Sequence, residues 1–197
     1  MFEILTVCTG NICRSPLAQL LLATRLADLG VHVRSAGTHG MHQAAMPVEA
    51  QAIAKALGVD PDAAAAHRSR MLAEADMTTP DLIFAMARDH RREIVELAPS
   101  RMRAAFTVRE FARLAADISD DDLHRAADAA GADASARVRA AAALVASHRG
   151  LTPPPADPSE DDVVDPYGRS WETYEQSALE LVPALDVVER VLRAALV

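Results

Sequence analysis

The sequence predicts an α/β fold in which helices cover both faces of a parallel sheet. Three observations predict it: short β-prone runs recur, helical patterns stand between them, and glycine or proline marks most of the changes. The run 2–7 (Phe-Glu-Ile-Leu-Thr-Val) contains no breaker and reads as a buried strand. From 17 to 29 the apolar spacing is helical, with Ser15 placed to cap that helix and Pro16 at its first position. Gly30 stops it, and 31–35 reads as a second strand. A helix over 49–57 is closed by Gly58, 81–86 is a third strand, and 88–97 is a helix ended by Pro99. Such alternation requires a parallel sheet buried on both sides.

The segment 117–162 differs. Residues 120–130 and 134–147 are alanine-rich and helix-prone, with Gly131 between them, and 152–158 (Thr-Pro-Pro-Pro-Ala-Asp-Pro) excludes regular structure. This stretch reads as an insertion in a single domain over 1–197, a helical elaboration or loop on the surface, or else a lid or dimer contact. Glu160, Asp161 and Asp162 read as a solvated charge run. The last helix runs from Ser170 to Leu196, with Pro183 expected to kink or split it.

Composition narrows the function. With 20 basic and 28 acidic residues the net charge is −8, and the basic residues form no cluster, which argues against a nucleic-acid partner. No apolar stretch approaches the roughly 18 residues of a membrane span, and the N-terminus does not read as a signal peptide, so no membrane insertion is expected. Two cysteines, Cys8 and Cys13, make no disulfide scaffold, and a cytoplasmic location is the expectation.

The loop Cys8-Thr9-Gly10-Asn11-Ile12-Cys13-Arg14-Ser15-Pro16 carries the chemistry. A tight turn between a strand and a helix presents successive backbone N–H groups and the positive end of the helix dipole to an anion. Arg14 adds a planar fork suited to two phosphate oxygens. The same field favours the thiolate of Cys8, the form that attacks phosphorus. Gly10 permits close backbone approach or positive φ. Cys8 alone could be a small buried hydrophobe, but Cys, Gly, Asn, Arg, Ser and Pro in one such turn point to phosphate.

This loop resembles the signature of the low-molecular-weight protein tyrosine phosphatases. The resemblance extends through Ser35-Ala36-Gly37-Thr38, His67-Arg68-Ser69-Arg70, the run 81–86 and Asp165-Pro166-Tyr167. It implies a flavodoxin-like fold with a four-stranded parallel sheet, hydrolysis of phosphotyrosine monoesters through a phosphocysteine, and neither metal nor organic cofactor. It further implies a tyrosine-phosphorylated protein as partner, such as a bacterial tyrosine kinase of the polysaccharide-export type. For self-association, a monomer or weak dimer is expected.

Carried over by position, Cys8 matches the nucleophile, Arg14 the phosphate-binding arginine, and Thr9, Gly10, Asn11, Ile12, Cys13 and Ser15 the rest of the phosphate loop. Ser15 resembles the hydroxyl that stabilises the thiolate, and Asn11, Ser35 and His67 the polar network that holds the loop. Asp165 matches the general acid, which a phenolate leaving group needs because its conjugate acid has a pKa near 10. Asp157-Pro158 is a second Asp-Pro pair, but only Asp165 is followed by Tyr167 and the terminal helix. In the resembled family a second loop cysteine can pair reversibly with the nucleophile; Cys13 is either that or a small packing residue.

The match departs from the family in the 117–162 segment and in the cleft. Met41 and His42 stand where an aromatic is usual, and Gly168 follows Tyr167 where a second aromatic is usual. Arsenate reduction with an external thiol is one rival on this scaffold, though arsenate has no phenolate for Asp165 to protonate. Phosphoarginine hydrolysis is another; members of that subgroup carry Thr where Ile12 stands, and the branched apolar Ile12 favours tyrosine. A non-catalytic phosphopeptide binder would need no Cys8.

Overall fold

The computed structural model describes residues 1–197. Four strands, β1 (Phe2–Cys8), β2 (Val31–Gly37), β3 (Leu82–Ala85) and β4 (Ala105–Thr107), form one parallel sheet in the order β2-β1-β3-β4. The helices are α1 (Arg14–Arg25), α2 (Val48–Ala56), α3 (Pro61–Ala66), α4 (Arg88–Leu97), α5 (Val108–Ala115), α6 (Asp120–Asp128), α7 (Ala134–Ser147) and α8 (Trp171–Leu196). β4 lies outside the strands read from sequence patterning, because three residues are too few to show a period.

Alternation along β1 sorts the core. Phe2, Ile4 and Cys8 face a large hydrophobic cluster shared by α1, α2, α5, α6, α7 and α8, whereas Leu5 and Val7 face a small one with Ile94 of α4. Phe111 stands edge-on to both Phe84 and Phe106, with ring centroids 5.1 Å apart in each pair. β1 connects through α1 to β2 on one side, and the chain then crosses to β3 on the other. Strand order therefore reverses at β1, and the end of β1, where Cys8 pairs with Gly37, opens on the crevice where α/β sheets bind ligands.

Four expectations change. The 120–147 helices are not a surface elaboration: Leu123, Ala127, Val138, Ala141, Ala142 and Val145 are buried in the main core. Their apolar positions recur at helical spacing, and alanine lets α6 and α7 approach α8 and each other closely. α7 is also tied to the sheet, since buried Asp81 accepts from Ser135 and Arg139. The acidic run is not simply solvated: Asp161 is buried and pairs with Arg113 at 2.8 Å, and Asp162 accepts from the Arg88 N–H. α8 passes unbroken through Pro183, which is exposed, as is Leu179 one turn earlier, whose carbonyl loses its helical donor there. Finally, α1 begins at Arg14, so Ser15 lies inside the helix and does not cap it. No helix is long and apolar enough to cross a membrane.

Candidate active site

The loop from Cys8 to Arg14 is held from outside by its carbonyls. Those of Cys8, Thr9 and Gly10 accept from the N–H groups of Thr38, His39 and Met41 at 2.9, 3.0 and 3.2 Å. In a trans peptide the N–H points opposite its carbonyl, so the amides of Thr9, Gly10 and Asn11 turn away from the 38–41 segment. The approach is close at Gly37, where a Cβ would lie 2.3 Å from the Thr9 carbonyl oxygen. Positive φ falls at Asn11 (φ 55°) and not at Gly10, which removes one of the two reasons expected for that glycine.

Asn11 tolerates that conformation because its side-chain amide and its backbone carbonyl are all hydrogen-bonded. Its Nδ2 donates to Ser15 Oγ (3.0 Å) and Ser35 Oγ (2.8 Å), and its Oδ1 accepts from the Arg70 N–H at 3.0 Å. Its backbone carbonyl accepts from His67 Nε2 at 2.8 Å, which places the His67 proton on Nε2. Burial, with the nearby Arg68 charge adding to it, holds His67 below the usual histidine range. Ser35 passes the chain on to Gln19 Oε1 at 2.5 Å, a support the sequence reading missed.

Cys8 Sγ lies 3.0 Å from Ser15 Oγ. Because Asn11 already donates into that oxygen, the single Ser15 proton goes to one of two acceptors, the Ala36 carbonyl at 3.4 Å or the nearer Cys8 sulfur, where it would stabilise a thiolate. Cys13, also buried, stays a thiol: burial, then the neighbouring Cys8 and Asp165, push it up to about 12 against the opposing effects of Tyr174 and Arg14.

Arg14 is 5% exposed. Its Nη1 donates to the Val163 carbonyl at 2.9 Å, its Nη2 lies 2.6 Å from Asp165 Oδ2, and its buried Nε has no partner. Val163 is itself anchored by its N–H to the Met86 carbonyl, and Val164 by its N–H to Glu180. The loop that carries Asp165 is thereby fixed at the end of β3 and on α8, and Asp165 accepts from the Tyr167 N–H in a local turn.

One cavity of about 220 Å³ is lined by Cys8, Thr9, Gly10, Ile12, Cys13, Arg14, His39, Met41, Asp165 and Tyr167. It gathers the expected nucleophile, arginine and acid, and two of the three expected cleft residues. His42 is the exception: it is exposed and does not line the cavity. The chain leaves the loop after Met41, with Gln43 at φ 52° and its N–H turned to the Ser69 carbonyl. His39 takes the place instead, carried there by its own hydrogen bond to Thr9. Asp157 caps the short turn at 158–161 and does not line the cavity, which separates the two Asp-Pro pairs. A larger charged cleft of about 750 Å³ beside α4 holds no nucleophile.

The sequence of residues 3–129 matches the family model described as low molecular weight phosphotyrosine protein phosphatase. A protein-arginine-phosphatase from Geobacillus stearothermophilus is 36% identical over 110 residues, covering 56% of this chain and 71% of that protein. The low molecular weight protein-tyrosine-phosphatase Etp of Escherichia coli K12 is 41% identical over 97 residues, covering 49% of this chain and 62% of Etp, a little under two thirds of its length. In structure, the YwlE arginine phosphatase from Geobacillus stearothermophilus superposes with a TM-score of 0.67 at 26% identity, over 98% of this chain and 94% of that one. The family match spans β1 through α6, the loop and its supporting strands included, and the chain belongs to the low molecular weight phosphotyrosine protein phosphatase family.

Proposed function

We propose that this protein hydrolyses phosphotyrosine monoesters on phosphorylated proteins. The observation that carries this reading is the single cavity in which Cys8, Arg14 and Asp165 meet beneath an apolar rim. Phosphate oxygens would be held by the loop amides and by the Nε–Nη2 edge of Arg14, while Nη1 stays on the Val163 carbonyl. The Cys8 thiolate attacks phosphorus: an S–P bond forms, the P–O bond to tyrosine breaks, and Asp165 delivers its proton to the departing phenolate. Asp165, now a carboxylate, takes a proton from water. The water oxygen bonds to phosphorus, the S–P bond breaks, and thiolate and phosphate are released.

Ile12, Met41 and Tyr167 offer apolar surface to a phenyl ring, with Tyr167 53% exposed at the rim. The similarity to an arginine phosphatase makes phosphoarginine the second reading; the apolar side chain of Ile12 in the cavity wall favours the aromatic ester. A bacterial tyrosine kinase of the polysaccharide-export type is the proposed partner class, and a cytoplasmic location the proposed setting. Rapid quenching of the wild type during turnover of a phosphotyrosine peptide is expected to leave phosphate on the tryptic peptide containing Cys8. Recovery of unmodified Cys8 throughout turnover would refute the covalent route.

A further inference from the structure

His90 is the third residue of α4 and is 5% exposed, yet it belongs to no part of the network around Asn11. Its Nε2 lies 2.8 Å from Thr9 Oγ1, and its Nδ1 is buried with no partner. An unpaired buried nitrogen is costly, and an apolar residue would fill the same space without that cost. The imidazole is held neutral, down to about 4, first by burial and then by the adjacent Arg14, with Asp165 and Asp89 acting the other way.

Arg14 Nη2 lies 3.5 Å from the same Thr9 oxygen. Arginine only donates, so Thr9 Oγ1 accepts there and keeps one proton to give away. A neutral imidazole nitrogen at 2.8 Å is the acceptor at hand. The order is thus Arg14 to Thr9 to His90. Val163 holds one end of the guanidinium and Thr9 the other, so the fork for an oxyanion is the unpartnered Nε–H together with the second Nη2 hydrogen, which an anion would take over from Asp165.

We propose that His90 is a positioning residue: by accepting the Thr9 hydroxyl proton it turns the Thr9 oxygen toward Arg14 and sets the plane of the guanidinium for phosphate. This rests on the phosphatase reading above, and the test separates the two. Inorganic phosphate is titrated calorimetrically into wild type, His90→Leu and His90→Gln, and steady-state rates are measured on a phosphotyrosine peptide. His90→Leu is expected to weaken phosphate roughly tenfold, the worth of about one hydrogen bond to an ion. KM should rise by a similar factor while kcat changes less. His90→Gln, whose Oε1 can reach the Nε2 position, should stay within about threefold of wild type on that same scale. A merely structural role would lower stability in both variants and leave the phosphate affinity of the folded protein alone. If His90→Leu does not fold, Thr9→Val removes the other half of the contact and should show the same tenfold loss. Wild-type affinity in folded His90→Leu, or in Thr9→Val, would overturn the proposal. Failure of wild type to bind phosphate would overturn the phosphatase reading and this inference with it.

Discussion

The carboxylate of Asp165 lies 2.6 Å from the guanidinium of Arg14, on the Nη2 end of the edge that a phosphate would occupy. On the proposed reading, substrate and acid compete for one cation, and a bound phosphoryl group would displace Asp165 toward the rim, where the leaving oxygen would sit. Asp165→Ala should then have effects of opposite sign. Loss of the acid lowers kcat on a phosphotyrosine peptide by about 10²–10⁴. Loss of the competitor tightens inorganic phosphate by up to about fivefold, the worth of a half-exposed ion pair. Weaker phosphate binding in the variant would contradict the competition.

Asn11 combines a left-handed backbone with four internal hydrogen bonds. Asn11→Ala should cost about 2–4 kcal/mol in a denaturant titration, from unpaired buried partners and the strained φ. Asn11→Gly relieves the strain and should recover about 1 kcal/mol of it. Neither should restore activity, because Ser15 loses the donor that frees its proton for Cys8.

The 120–147 helices are core, and stability should report it. Leu123→Ala, at a position fully buried among α6, α7 and α8, should cost about 2–5 kcal/mol. Pro154→Ala, in the exposed stretch that follows, should stay within about 0.5 kcal/mol of wild type. Equal small effects would return the helices to the surface.

His90 gives stability a defined pH dependence. Its folded pKa, about 4, lies below the unfolded value of 6.5, so the unfolded chain binds the extra proton as pH falls. The stability contributed by keeping it neutral is complete above pH 6.5 and is lost between there and about pH 4, a change of roughly 3 kcal/mol. Unfolding free energies across that window should fall more steeply in wild type than in His90→Gln by about that amount. Parallel curves would contradict the assignment.

Much of this site was legible in the chain because its signals are local. The loop from Cys8 to Pro16 carries its chemistry in consecutive residues, and β1, β2 and β3 announce themselves by breaker-free runs ended by glycine or polar turns. What was not legible depends on distant partners. His90 is separated from Thr9 by 81 positions and looks like any histidine on a charged helix. His39 and His42 are three residues apart, and only the hydrogen bonds of 38–41 to the loop and the left-handed Gln43 decide which one faces the cavity. The alanine-rich helices were misplaced for a related reason: alanine is equally at home on a surface and in a tight helix contact, so composition alone does not tell the two apart.

The most direct test compares initial rates of wild type and Asp165→Ala on a phosphotyrosine peptide and on a phosphoarginine peptide, with no added metal. Turnover of phosphotyrosine by wild type, lost by about 10² or more in the variant, is the predicted result. Turnover of phosphoarginine alone, or of neither peptide, would contradict it.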